Sequence, residues 1–164
     1  MYIKNYQKTA RGKKSTALPE LTDDQLSRGM QKVMLPKRLP SLEGVDLGVY
    51  HSPGTEQGCD LFDIVSISKD VYALLLFDVA GAGMRSTLIS AMAKICFTKY
   101  LCPDISPFTV LEHVNQDLQH AIGIDLQLSA FLGYLDLHDN ELVFSSGKIF
   151  PQDLTVVTKL KDCQ

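Results

Sequence analysis

The sequence predicts an α+β fold built on mainly antiparallel strands, and three observations carry that expectation. Short apolar stretches of strand length occur at 45–50, 61–67 and 71–78. Two longer stretches, between about residues 84 and 122, repeat at helical spacing. Strand-like patterns separated by turn residues then return from 126 to 161. The order β-β-β-α-α-β-β-β groups strands with strands, as antiparallel sheets require.

Residues 1–20 are polar and aperiodic and read as a basic leader or linker, with a single domain over 21–164. Thr22 with Gln25 three residues on forms a capping box. Leu26, Met30, Val33 and Met34 continue that helix, which Pro36 and Pro40 stop. Apolar residues alternate in Val45–Tyr50 and Leu61–Ile67. In Val71–Asp78 they are consecutive, which predicts a central strand covered on both faces. Gly81-Ala82-Gly83 breaks that strand. A helix from Met84 to about Tyr100 follows, apolar around most of its circumference and so expected to be well buried. Ser106-Pro107 starts a further helix with a stripe of Leu111, Val114, Leu118 and Ile122. Leu126–Asp136 and Glu141–Ser146 form a hairpin turned at His138-Asp139-Asn140, and Leu154–Lys161 is a last strand.

The chain has 164 residues, of which 45% are apolar and 21% charged. That suits one globular domain and excludes collagen-like or wholly disordered chains. The longest apolar run, Val71–Phe77, is too short to span a bilayer, and no signal peptide is evident, so a cytoplasmic domain is expected. Five cations and one anion fall in the first 20 residues. Removing them from totals of 16 and 19 leaves 11 cations against 18 anions. An acidic body argues against non-specific nucleic-acid binding. Cys59, Cys96, Cys102 and Cys163 form no C-x-x-C pair and fit no zinc spacing, so they read as reduced thiols, Cys96 as a small core residue.

Asp60 opens one strand and Asp78 ends another, directly before Val79-Ala80-Gly81-Ala82-Gly83. If those strands are neighbours, the two carboxylates converge, and like charges at one point call for a cation between them. Hard oxygen ligands favour Mg²⁺ or Mn²⁺. Two such ions can hold a hydroxide for in-line attack on a phosphoryl group. The plainer alternative makes both aspartates simple strand-end residues. Ser86 stands where a dinucleotide fingerprint needs its third glycine, and no P-loop or G-x-S-x-G elbow occurs. His113, Asp117 and His120 share a helix face opposite the apolar stripe and read as a solvated face. His51 and His138 have no partner pattern.

From about Gln31 to Phe150 the chain resembles the SpoIIE/RsbU-type members of the metal-dependent PP2C (PPM) phosphatases. The similarity runs through Gln31-Lys32-Val33-Met34-Leu35-Pro36 with Leu39-Pro40, and through Gly58-Cys59-Asp60-Leu61-Phe62-Asp63. It continues in Phe77-Asp78-Val79-Ala80-Gly81-Ala82-Gly83, in Val110-Leu111 with Asn115, and in Ser129-Ala130-Phe131 with Tyr134-Leu135-Asp136. The resemblance implies a bacterial protein with a PP2C-like layered α/β sandwich of mainly antiparallel sheets flanked by helices, here lacking part of the C-terminal half. It also implies two Mn²⁺ or Mg²⁺ ions, with Asp60 as the bridging ligand and Asp78 and the Val79 carbonyl completing that side. A metal-bridging hydroxide would hydrolyse phosphoserine or phosphothreonine on a regulatory partner of the anti-anti-sigma (STAS) type.

Three positions depart from the family pattern. Cys59 replaces a glycine, Lys148 replaces the histidine of A-G-H, and Gln152 replaces the first aspartate of the closing D-D-I-T-L-L strand. No T-D-G-x-x-E motif is present. Two of four acidic ligands should hold a second metal poorly. The alternative function is therefore a pseudophosphatase that binds a phosphoprotein or regulatory partner without turnover. A third reading makes the Thr22–Leu35 helix a relay from an upstream sensory domain.

Overall fold

In a computed structural model the chain is described at residues 21–51, 59–122, 127–149 and 155–162. Helix α1 spans Asp23–Met34. The expected capping box forms: the Thr22 hydroxyl accepts from the Gln25 N–H at 3.3 Å, and the Gln25 side chain accepts from the Thr22 N–H at 3.0 Å. Leu35, held extended before Pro36, ends the helix.

Strands β1 (Cys59–Ser66), β2 (Val71–Val79), β3 (Leu128–Asp136), β4 (Glu141–Ile149) and β5 (Thr155–Asp162) form one antiparallel sheet in chain order. Helices α2 (Gly83–Tyr100) and α3 (Pro107–Ile122) are inserted between β2 and β3. At the β3–β4 turn the Asp136 carboxylate accepts from the His138 and Asp139 N–H groups, and Asn140 takes φ 56°. Asparagine tolerates that left-handed conformation, which closes the hairpin where the sequence indicates it.

Alternation sorts the sheet into two faces. Ala73, Leu75, Phe77 and Val79 of β2 and Leu128, Ala130 and Leu132 of β3 point toward the helices. There they meet Phe97 of α2 and Val110, Leu111, Val114 and Leu118 of α3, all fully buried. The Phe77 and Phe97 rings pack 5.5 Å apart. The opposite face carries Phe62, Leu74, Leu76, Phe131 and Phe144.

The α+β class and the antiparallel pairing are as the sequence predicts; the described residues form one sheet, with helices packed on one of its faces. Three local expectations need correction. Val45–Tyr50 is not a strand: only a Leu42–Val45 bridge forms, with Gly44 at φ 78°. Gly48 interrupts the alternation, and Tyr50 is 93% exposed. Nor is β2 covered on both faces, since Leu76 is 52% exposed. Helix α2 buries Ser86, Thr87, Ser90, Ala93 and Phe97 while leaving Leu88, Met92 and Ile95 exposed. Small and hydroxyl side chains let this helix approach α1 and the sheet closely; of its larger apolar residues Ile89 and Phe97 enter the core, while Leu88, Met92 and Ile95 turn outward.

Candidate functional site

The β1–β2 register places Asp60 directly opposite Asp78. Directly opposed residues of an antiparallel pair project from the same face with Cβ atoms about 5 Å apart. Both aspartates thus leave the sheet on the side away from the helices, where they line an open cavity of about 990 Å³. The condition that the sequence sets, that the two strands be neighbours, is therefore met.

Two further side chains extend the row. Asp78 is opposite Ser129 on β3, and Ser129 is opposite Lys148 on β4. Both line the same cavity and are exposed. His51 lines it too, its ring 6.0 Å from that of Phe62. His51 has no partner in the sequence pattern, because residues 52–58 separate it from β1 and only the fold joins them. Ser129 and Lys148 were visible as family positions, but their alignment with the aspartates depends on the register of three strand pairs.

After Asp78, the buried Val79 side chain anchors the end of β2, and Ala80 N–H donates to the Gln127 carbonyl at 2.9 Å. Gly81 (φ 108°) and Gly83 (φ 76°) turn the chain into α2. The Gly83 carbonyl accepts from the hydroxyls of Ser86 and Thr87 at 3.0 Å and of Ser27 at 3.3 Å. Ser27 also bonds Thr87 side chain to side chain, so α1 is tied to the loop that follows Asp78. A second tie runs through Lys94 of α2, which pairs with Asp63 of β1 at 2.9 Å and donates to the Met34 carbonyl at the end of α1.

The α3 face read as solvated is partly an interhelix contact. Asp117 accepts from Lys99 at 3.0 Å and from the Tyr100 hydroxyl at 2.9 Å, and the His113 ring lies 4.8 Å from that of Tyr100. The Lys99 and Tyr100 bonds hold the Asp117 carboxyl below the usual carboxylate range, and the Tyr100 and Asp117 bonds raise the Lys99 ammonium. Only His120 of the three is exposed, so the face belongs to the α2–α3 seam and not to the cavity. Partial burial raises the Cys96 thiol, consistent with its expected packing against the core.

Asp60, Asp78 and the Val79 backbone are oxygen donors of the kind a hard divalent cation takes. Two opposed carboxylates fit one such ion. Among the described residues no group of three or more His, Cys, Asp or Glu side chains gathers into a metal cluster, and Gln152 and Asp153 lie outside the described residues. No helix among the described residues is long and apolar enough to cross a membrane.

The described residues form an α+β domain with two opposed aspartates on the open face of its sheet, and comparison with known proteins gives its family. Residues 68–154, more than half of the chain, match the family model of stage II sporulation protein E (SpoIIE). The chain belongs to this family, whose members are PP2C-type phosphatases of the SpoIIE/RsbU kind. Asp78 and Lys148 lie inside the matched span, and Asp60 precedes it. The chain is 20% identical over 123 residues to phosphoserine phosphatase RsbU of Bacillus subtilis (strain 168). It is 26% identical over 94 residues to phosphoserine phosphatase RsbP of the same organism. These alignments take in 75% and 57% of this chain but only 36% and 23% of the relatives. Among solved structures, the SiaA PP2C domain of Pseudomonas aeruginosa superposes with TM-score 0.53 at 14% identity, covering 66% of this chain and 51% of that one. The RsbU and RsbW domains of a Mycobacterium tuberculosis protein superpose with TM-score 0.50 at 16% identity, covering 66% and 37%. Both likenesses concern the fold.

Proposed function

We propose that this domain is a metal-dependent protein serine/threonine phosphatase acting on a phosphorylated regulatory protein of the anti-anti-sigma (STAS) type. The observation that carries the reading is the direct opposition of Asp60 and Asp78 on the cavity face. Asp60, Asp78 and the Val79 carbonyl would hold Mn²⁺ or Mg²⁺. When bound, such an ion supplies positive charge for the phosphoryl oxygens and lowers the pKa of a water that attacks phosphorus. Asp60 and Asp78 fix the position of that charge, and the Gly81–Gly83 loop fixes Asp78. The apolar side chains of Phe62, Leu76 and Phe131 line the same cavity beside the aspartates.

A second reading, partner binding without turnover, is favoured by the small number of carboxylates gathered among the described residues. Hydrolysis of a phosphoserine-containing protein in millimolar Mn²⁺ separates the two. The enzyme reading expects turnover that Asp60→Asn and Asp78→Asn each reduce by at least about 100-fold, more than loss of an outer-sphere partner costs. No turnover by folded protein overturns it and leaves the binding module.

A further inference from the structure

We infer that Lys148 and Ser129 form an anion subsite that receives the phosphoryl oxygens of the substrate, an assignment that rests on the phosphatase reading of the aspartates beside it. The register is the first support. Asp60, Asp78, Ser129 and Lys148 occupy one row across β1–β4, each opposite the next, and all four line the same cavity. At a strand spacing of about 4.8 Å, Lys148 stands roughly 10 Å from Asp78 across the sheet. Side chains stand roughly perpendicular to the sheet, so ammonium and carboxylate stay about that far apart, room for a phosphate group together with a cation.

Charge is the second support. The ion pairs found among the described residues are Arg28–Asp24, Lys94–Asp63 and Lys99–Asp117, so none of them engages Lys148. Lys94 is turned to the helix side and already paired. Among the described residues Lys148 is the lysine that lines the cavity, and its ammonium adds positive charge at the β4 end of a row whose other end carries two carboxylates. A phosphomonoester dianion lies along that axis with one oxygen toward the carboxylate-held charge and another toward Lys148. Ser129, exposed between them, offers a hydroxyl donor to the third.

The test titrates the full chain with inorganic phosphate and with O-phosphoserine by calorimetry, at saturating Mn²⁺. Lys148→Gln is expected to weaken phosphate binding about tenfold, the loss of one charge-assisted hydrogen bond. Lys148→Arg should recover most of that affinity, and the wild-type affinity should fall with added salt. The same substitution is repeated in an Asp60→Asn/Asp78→Asn background without metal, where the phosphatase reading plays no part; weakening there again supports the subsite. Mn²⁺ binding, followed separately by electron paramagnetic resonance, tests the phosphatase reading independently. Absent Mn²⁺ binding with a persisting Lys148 effect removes the phosphatase and keeps the subsite. Phosphate affinity within twofold of the parent in both backgrounds overturns the subsite. So does a Lys148→Gln chain that binds Mn²⁺ more tightly with phosphate affinity unchanged, which would make Lys148 a counter-ion of the aspartates.

Discussion

Gly81 sits three residues after Asp78 at φ 108°, a backbone conformation that a side chain strains even where space is open. Gly81→Ala should therefore cost about 1–2 kcal/mol through backbone strain, not through a clash. Because the loop holds Asp78 in place, the same variant should bind Mn²⁺ more weakly than its thermal stability alone implies. Calorimetric titration beside a melting curve checks both. Unchanged Mn²⁺ affinity would separate the loop from the aspartate. At this scale the sequence made Asp60 and Asp78 legible, because each is a carboxylate at the end of an apolar strand. It did not align Lys148 with them. A one-residue slip in either β2–β3 or β3–β4 would put Lys148 or Ser129 on the other face. The formed hairpin, with Asn140 at φ 56°, fixes the β3–β4 register, while the β2–β3 register is set across the two inserted helices.

Helix α1 was legible from its capping box, but its seat was not. Ser27 is buried and bonds both the Gly83 carbonyl and Thr87, contacts between residues 56 and 60 positions apart. Ser27→Ala should lose about 1 kcal/mol, lowering the melting temperature by roughly 2–4 °C. A melt of the variant beside Thr22→Ala, which removes only the exposed cap, distinguishes the two ends of the helix. Loss of α1 order without any effect on the Asp78 loop would count against the tie. The α2–α3 seam makes a pH-dependent prediction. The Asp117 carboxyl is held low by Lys99 and then by Tyr100, so its folded pKa lies below its unfolded value. The contribution is therefore present above the unfolded carboxylate pKa and is lost as pH falls through the folded one. Asp117→Asn should melt slightly earlier than the parent at neutral pH, and the two melting curves should converge in strong acid. A constant difference across that range would remove the ion pair as its cause. Periodicity placed Asp117 opposite the apolar stripe of α3; it could not show that Lys99 and Tyr100 of the preceding helix come round to meet it.

At the scale of the whole molecule, the two faces of the sheet obey different rules. The helix face follows simple alternation, so Leu75, Phe77, Leu128 and Leu132 could be read as core from their spacing. The cavity face is also apolar, and the consecutive run 71–77 looked like a strand covered on both sides for that reason. In fact Leu76 is 52% exposed, while the stacked Phe131 and Phe144 rings, 5.4 Å apart, continue the apolar surface over Gly133. A Cβ at Gly133 would come within 3.1 Å of Leu142 and 3.2 Å of Phe131, so a side chain there would press those neighbours apart. Contiguous exposed apolar surface of this kind binds hydrophobic dyes in the native state. The folded chain should therefore enhance 8-anilinonaphthalene-1-sulfonate fluorescence before any unfolding transition. Leu76→Gln should lower that signal while changing stability by no more than about 0.5 kcal/mol, since the side chain is already half in water. Replacing a buried neighbour, Leu75→Ala, should do the reverse: a loss of about 2–5 kcal/mol from the core with the dye site retained in whatever fraction stays folded. Equal dye responses in the two variants would mean that the apolar surface is not on the cavity face. The same face carries the Asp60–Asp78–Ser129–Lys148 row at one end, so a bound phosphoprotein that displaces the dye would tie the apolar surface and the charged row into one site.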